Sequence, residues 1–195
     1  MLNLQSSFTL HRDGCSRLTE AQDSACRLIL KWADHGPFDC DKTVKEGAEN
    51  LSKVLTKVHS DKTIQFEQDI RSGLRMPWDD GDTLEVLGNL MDNACKYGGH
   101  RVRVSGRIQG GQIRVAVEDD GPGIAPENRP TALREGGRLD EAVPGTGLGL
   151  AICADIVEAY EGALTLEDSE LGGLLARVSL PLARQEPQAA PRIDA

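Results

Sequence analysis

The spacing of apolar residues changes several times along the chain, and each change marks an element. Leu18, Ala21, Ala25, Leu28, Ile29 and Trp32 recur every three to four residues, which predicts a helix over 18–32. The turn-forming run Asp34-His35-Gly36-Pro37 follows it. Val44, Ala48, Leu51, Leu55 and Val58 repeat the helical period and predict a second amphipathic helix over 43–58. Residues 63–70 then alternate polar and apolar, as a strand with one buried face does, and 73–77 continue as a short extended piece. Asp79-Asp80-Gly81-Asp82 reads as a turn whose acids suit a helix start. A strong helix over 83–97 follows, apolar at Leu84, Leu87, Leu90, Met91 and Ala94, and Gly98-Gly99 stops it.

Two alternating segments come next, 101–108 and 112–118, with a hairpin at Gly110-Gly111. Residues 120–144 are rich in Gly, Pro and charge and read as a long mobile loop; a loop of that length in a compact domain is usually functional. Gly145 to Gly149 open a helix that runs to about Tyr160. Strands over 163–167 and 174–180 meet around Gly172-Gly173. This order lacks the rhythm of a doubly wound parallel sheet. It predicts an α/β (α+β) two-layer sandwich, a mixed and mostly antiparallel sheet with helices on one face. Three parts are expected: an N-terminal helical segment over 1–42, one domain over 43–182, and a Pro/Gln/Ala-rich disordered tail over 183–195.

Composition narrows the chemistry. The 195 residues are 39% hydrophobic but only 4% aromatic, so the core must be built mostly from Leu, Val, Ile and Ala. A net charge of -9 with no basic stripe argues against nucleic acid and anionic membranes as partners. Cys15, Cys26, Cys40, Cys95 and Cys153 are odd in number and lack metal-ligand spacing, as expected of reduced thiols in a cytoplasmic protein. No run is long and apolar enough to cross a bilayer, and no signal peptide is expected.

Three short stretches carry candidate chemistry. On the helix over 83–97, Asn89, Asn93 and Lys96 fall at i, i+4 and i+7 and share a face, with Leu87, Leu90 and Met91 facing elsewhere. Two amide oxygens and an ammonium on one stripe suit a hydrated Mg²⁺ and phosphate oxygens, although a solvated helix face would look the same. Asp119-Asp120-Gly121-Pro122-Gly123-Ile124 follows a strand directly. Its glycines let backbone approach a ligand, and its carboxylate can accept from an exocyclic amine; a surface turn is the plainer alternative. Gly145-Thr146-Gly147-Leu148-Gly149-Leu150 opens a helix whose N–H groups and dipole suit phosphates. A Gly/Pro/charged loop precedes it, where a dinucleotide fingerprint needs a parallel strand, and no Gly-Lys-Ser/Thr follows to make a Walker loop.

Taken together and in this order, the stretches resemble the N, G1 and G2 boxes of the GHKL ATPase superfamily, most closely the catalytic domain of sensor histidine kinases. The resemblance covers about 43–182. Asp92-Asn93-Ala94-Cys95-Lys96-Tyr97, the lid stretch from Arg134 to Glu141 and the following Pro144-Gly145-Thr146-Gly147 are similar to PhoQ-type kinases. The resemblance implies a Bergerat fold with ATP beneath a lid. It implies Asn93 as Mg²⁺ ligand, with Asn89 beside the phosphates and Lys96 on them. Tyr97 would pack by the adenine, Asp119 would accept from its amino group, and Gly121, Gly123 and Ile124 would shape that pocket. Arg138 would reach the phosphates from the lid, and Gly145, Thr146, Gly147, Leu148, Gly149 and Leu150 would close over the phosphate chain. Glu85, one turn before Asn89, is an expected acid near the acceptor or water. Leu133 stands near the place of the family's usual lid aromatic.

The resemblance also implies transfer of the γ-phosphate to a histidine on a separate dimerisation domain, with a response regulator downstream and membrane-anchored full-length relatives. None of His11, His35, His59 and His100 has the neighbours of such an acceptor, so each is expected to be an ordinary surface histidine. With the acceptor absent, the chain is expected to be a fragment, a product of a displaced start, or a domain acting in trans. A nucleotide-binding module without turnover and an anti-sigma-type serine kinase are the alternatives.

Overall fold

The computed structural model of the chain describes residues 43–78, 80–134 and 147–182. The expected helix over 18–32, the tail, and Arg138, Gly145 and Thr146 lie outside the described residues.

Helix α1 (Val44–Val58) begins at a capping box: the Thr43 side chain accepts from the Glu46 N–H, and the Glu46 carboxylate accepts from the Thr43 N–H at 2.8 Å. Val44, Ala48, Leu51 and Leu55, four of the five positions marked by the helical period, are its buried stripe; the fifth, Val58, is exposed at the helix end. Strand β1 (Gln65–Ile70) and helix α2 (Asp80–Tyr97) follow. Helix α2 starts three residues before the predicted Thr83, so Asp80-Gly81-Asp82 form its first turn instead of a separate one. The Asp82 carboxylate in this turn favours the positive end of the helix dipole. Trp78 fixes this end: its indole N–H donates to Thr83 Oγ1 at 2.7 Å, and its ring meets Tyr160 edge-on at 5.2 Å.

Strands β2 (Arg101–Gln109) and β3 (Gln112–Asp119) form the predicted hairpin, and β4 (Ala163–Asp168) and β5 (Leu174–Pro181) the closing pair. Gly110 and Gly111 both have positive φ, as the tight turn requires. The sheet order is β1-β2-β3-β5-β4. Only β1–β2 is parallel, with Gln65 beside Arg101; the other pairs are antiparallel. The mixed two-layer sandwich is therefore as expected. Val102, Val104, Ile113, Val115, Val117, Val178 and Leu180 point to the helices and join Leu87, Leu90, Met91 and Leu55 in one core. Trp78 adds an aromatic to it.

One further region differs from expectation. The stretch after Asp119 is not all loop: a 3₁₀ turn (Pro126–Asn128) leads into a short helix α3 (Arg129–Ala132), which buries Ala132. Pro126 and Pro130 occupy first-turn positions, where a missing N–H costs nothing. Leu133 then packs on the core's edge. Helix α4 (Gly149–Ala159) starts at Gly149, after Gly147 with φ 72° and Leu148 as N-cap.

Candidate functional site

A cavity of about 210 Å³ opens between α2, the end of β3, the turn after it and the start of α4. Its apolar wall comes from Leu90, Ala94, Val117, Ile124, Leu150 and Leu174, with Ala132 of α3 at one side. The polar groups are few: Asn93, Tyr97 and Asp119, with the backbone of Gly123, Gly147 and Gly149. A narrow apolar slot with one buried acid fits a flat heterocycle bearing one donor.

Asp119 ends β3 and is 5% exposed. Its Oδ1 accepts from the N–H of Gly121 at 2.9 Å and of Leu174 at 3.2 Å. Oδ2 has no partner among the described residues. Burial pushes the Asp119 carboxyl above the ordinary range; the two N–H groups pull the other way, and the adjacent Asp120 charge adds to the rise. Glycines enclose this acid. A Cβ on Gly173 would lie 2.1 Å from Asp119 Oδ1, and one on Gly121 would lie 2.4 Å from the Tyr97 carbonyl. Only glycine allows such an approach.

Asp120 turns the other way. Its Oδ1 accepts from the N–H groups of Gly99, His100 and Arg101 at 2.8, 2.9 and 3.1 Å. Burial would raise its carboxyl, but these amides hold it below the usual range. Asp120 thus ties the turn after α2 to the end of β3. Lys62 reinforces the same turn, its ammonium donating to the carbonyls of Cys95, Lys96 and Gly98 at 3.0, 2.7 and 3.3 Å. A cation over the last carbonyls of a helix meets both their unpaired acceptors and the dipole.

Of the α2 face, Asn93 lines the cavity, and Asn89 stands beside it, next to the start of α4. A Cβ on Gly149 would lie 3.3 Å from Asn89 Oδ1 and 3.6 Å from Asn93 Nδ2. The α4 start has no side-chain cap, so its first N–H groups remain to meet a ligand. Two expectations about this helix change. Leu90 does not face elsewhere but lines the same cavity. Lys96 does not extend alongside Asn93: its ammonium sits 2.6 Å from Asp92 Oδ2, one turn back.

Asp92 is the most enclosed acid here, at 2% exposed, and His59 Nε2 lies 2.8 Å from its other oxygen. His59 is therefore no ordinary surface histidine; its side chain is 12% exposed and joins α1 to α2. Burial would raise the Asp92 carboxyl, but the His59 hydrogen bond and the Lys96 charge outweigh it and hold the group low.

The remaining expected residues are placed as follows. Tyr97 lines the cavity and is 44% exposed. Gly123, with φ 68°, and Ile124 line it, while Gly121 and Leu148 are not among its lining residues. Glu85 is half-buried one turn before Asn89, on the side of Cys153. Cys95 and Cys153 are buried free thiols, and burial pushes Cys95 up to about 12, which makes it unreactive.

Sequence reasoning missed Gly173, Asp120, Lys62 and Arg129. Arg129 donates from Nε to the Ile124 carbonyl at 3.0 Å and from Nη2 to Asp168, so it fastens α3 to the β4 end. Asp120 follows Asp119 directly and could have been weighed as a second, structural acid. Nothing local marks the other three, because each acts on a segment distant in sequence.

A mixed sheet backed by helices, with an acid and a Gly-rich helix start converging on one slot, defines a nucleotide-site architecture. The chain belongs to the histidine kinase-, DNA gyrase B- and HSP90-like ATPase family, whose profile matches residues 79–184. It is 48% identical over 158 residues to the sensor protein kinase CarS of Pseudomonas aeruginosa, covering 81% of this chain and 34% of CarS. It is 44% identical over 130 residues to the two-component sensor PhoQ of the same organism, covering 67% of this chain and 29% of PhoQ. The chain thus spans about a third of the length of these relatives. Among solved structures it is similar to full-length ShkA in complex with AMPPNP, with a TM-score of 0.60 and 27% identity over 75% of this chain and 30% of ShkA. The likeness to sensor histidine kinases, and to PhoQ in particular, is as expected. No helix among the described residues is long and apolar enough to cross a membrane.

Proposed function

We propose that this chain is the ATP-binding catalytic domain of a two-component sensor histidine kinase, and that it passes the γ-phosphate of ATP to a histidine on a separate acceptor domain. The observation that carries the proposal is the convergence of Asn93, Asp119 and Gly147 on one cavity from three distant stretches of sequence. A response regulator is the expected downstream partner, and a cytoplasmic location fits this role.

Adenine fits the apolar slot, with its amino group donating to Asp119 Oδ2. Tyr97 covers the open side. The phosphates then run toward the N-terminus of α4, where its free N–H groups and the Gly147 turn receive negative charge. Asn89 and Asn93 fit a Mg²⁺ ion at this point. They offer hard amide oxygens, and among the described residues no three His, Cys, Asp or Glu side chains gather into a metal cage. Such a site suits an ion that keeps waters and substrate phosphates as its other ligands. When bound, Mg²⁺ neutralises phosphate charge. Transfer itself requires little covalent chemistry from the protein. The acceptor imidazole nitrogen forms a bond to the γ-phosphorus, the bond from that phosphorus to the bridging β-γ oxygen breaks, and ADP leaves with the electron pair. Lys96 reaches a phosphate only by leaving Asp92. Arg138, Gly145 and Thr146 are proposed to complete the phosphate contacts, and Glu85 to act near the acceptor.

Incubation with labelled ATP and Mg²⁺, with and without a supplied histidine-acceptor domain, tests this reading. Acid-labile label on the acceptor is expected. Acid-stable label on a partner points instead to a serine kinase, and binding without transfer to a nucleotide module.

A further inference from the structure

The face of the sheet away from the helices carries arginines of two kinds. Arg101 and Arg103 pair with Glu67, and Arg177 pairs with Glu167. Arg103 also has Glu118 and Glu170 within 4.0 Å. At the hairpin end the pattern fails. Arg107 and Arg114 are register partners across β2 and β3. Both alternate with core positions (Val102 and Val104; Ile113 and Val115), so both belong to the open face. Arg71 follows directly on Ile70, whose partner is Gly106, and so stands at the end of the same row. Among the described residues, none of these three arginines has a carboxylate within ion-pair distance. Like charges directly opposite across strands are unfavourable. Arg114 donates only to the amide oxygens of Gln109 and Gln112, both at 3.3 Å, and its Nε is buried with no acceptor.

In a chain of net charge -9, three unpaired cations in one row call for an anion from outside. We propose that the Arg71–Arg107–Arg114 row is a docking surface for an acidic segment of a partner protein. Neighbouring strands lie about 4.8 Å apart and same-face carboxylates of an extended segment about 6.6 Å apart, a difference that long arginine side chains with planar donor forks can span. A membrane fits less well. Asp69 stands beside the row on β1, outside ion-pair distance, and Glu67, Glu118, Glu167 and Glu170 stand further along the same face; together they would repel a continuous anionic surface, whereas a short segment can stay clear of them.

The test is fluorescence anisotropy with the full chain and a labelled peptide of alternating Glu and Gly. A Gln-for-Glu peptide and phosphatidylserine vesicles serve as the other arms. The acidic peptide is expected to bind and to weaken with salt, and the double variant Arg107→Gln/Arg114→Gln to bind at least about ten-fold less tightly. Arg101→Gln, on a paired arginine, is expected to bind normally. The double variant should melt no lower than the unaltered chain, since it relieves a like-charge contact. Equal binding of the Gln peptide, unchanged affinity in the double variant, vesicle binding in place of peptide binding, or a lowered melting temperature would each overturn the proposal.

Discussion

Asp92 and Asp119 are both aspartates, both nearly sealed from water, and on opposite sides of the same helix, yet their surroundings drive them apart. Asp92 sits between an imidazole and an ammonium, at 2.8 and 2.6 Å, which hold its carboxyl low. Asp119 has two backbone N–H groups and no cation, and burial holds its carboxyl high. Burial penalises both charges alike; the partners decide the outcome. A charged acid with full counter-charge serves as a fastener between α1 and α2. An acid left with one open oxygen in an apolar slot retains an unmet demand, which a ligand's donor can satisfy.

Removing either acid should therefore have opposite consequences. Asp92→Ala leaves His59 and Lys96 without their shared anion and is expected to lower stability by about 3 kcal/mol at neutral pH, read by urea unfolding. Because the Asp92 carboxyl is held below its unfolded value, its contribution is present above the ordinary carboxylate range and fades as pH falls through the folded value. The two unfolding curves should accordingly converge in acid. Unequal stability persisting there would show that Asp92 acts through packing alone.

Next in size is Gly173→Ala. The new methyl would lie 2.1 Å from Asp119 Oδ1 and must displace it, at a cost of about 2 kcal/mol and most of the nucleotide affinity. Normal affinity in this variant would mean that Asp119 need not hold its place.

Asp119→Asn should do the reverse of Asp92→Ala to the empty protein. The Asp119 carboxyl is held above its unfolded value, so its ionised form costs stability at neutral pH, and that cost shrinks as pH falls into the carboxyl range. The Asn oxygen can keep both backbone N–H bonds. A modestly raised Tm at neutral pH, closing with acid, is expected in thermal melts; a lowered Tm would erase the contrast between the two acids.

The smallest effect belongs to Lys62→Met, which uncovers the carbonyls at the α2 C-terminus and should lower stability by about 0.5–1 kcal/mol. Nucleotide affinity should stay unchanged, which separates the fastening of α2 from the site it carries.

The fold was legible wherever a single period governed. The stripe from Val44 to Leu55, the hairpin at Gly110-Gly111 and the alternation of β1, β3 and β5 all appear in the pattern of apolar positions. Pattern gave no hint that β1 lies parallel beside β2, because pairing direction depends on the crossover and leaves no trace in alternation. The α3 turn hid behind its prolines, which look like loop residues although they fit a first helical turn. In the site, Asn93, Asp119 and Gly147 stood out because each sits in a stretch with a local signature. Lys96 misled because i, i+4, i+7 spacing ignores the acid at i-4, whose charge takes the ammonium first. His59 misled because no local feature of a turn histidine announces a partner 33 residues away.

Asp119 is proposed to read the amino group of adenine in this cavity. Calorimetric titration with ATP and with GTP, each with Mg²⁺, tests it most directly. GTP places a carbonyl oxygen where ATP has the amino group, so two acceptors would face each other without a proton between them. ATP is expected to bind at least about a hundred-fold more tightly, with the preference lost in Asp119→Asn. Equal affinity for the two nucleotides, or a preference untouched by that substitution, would contradict it.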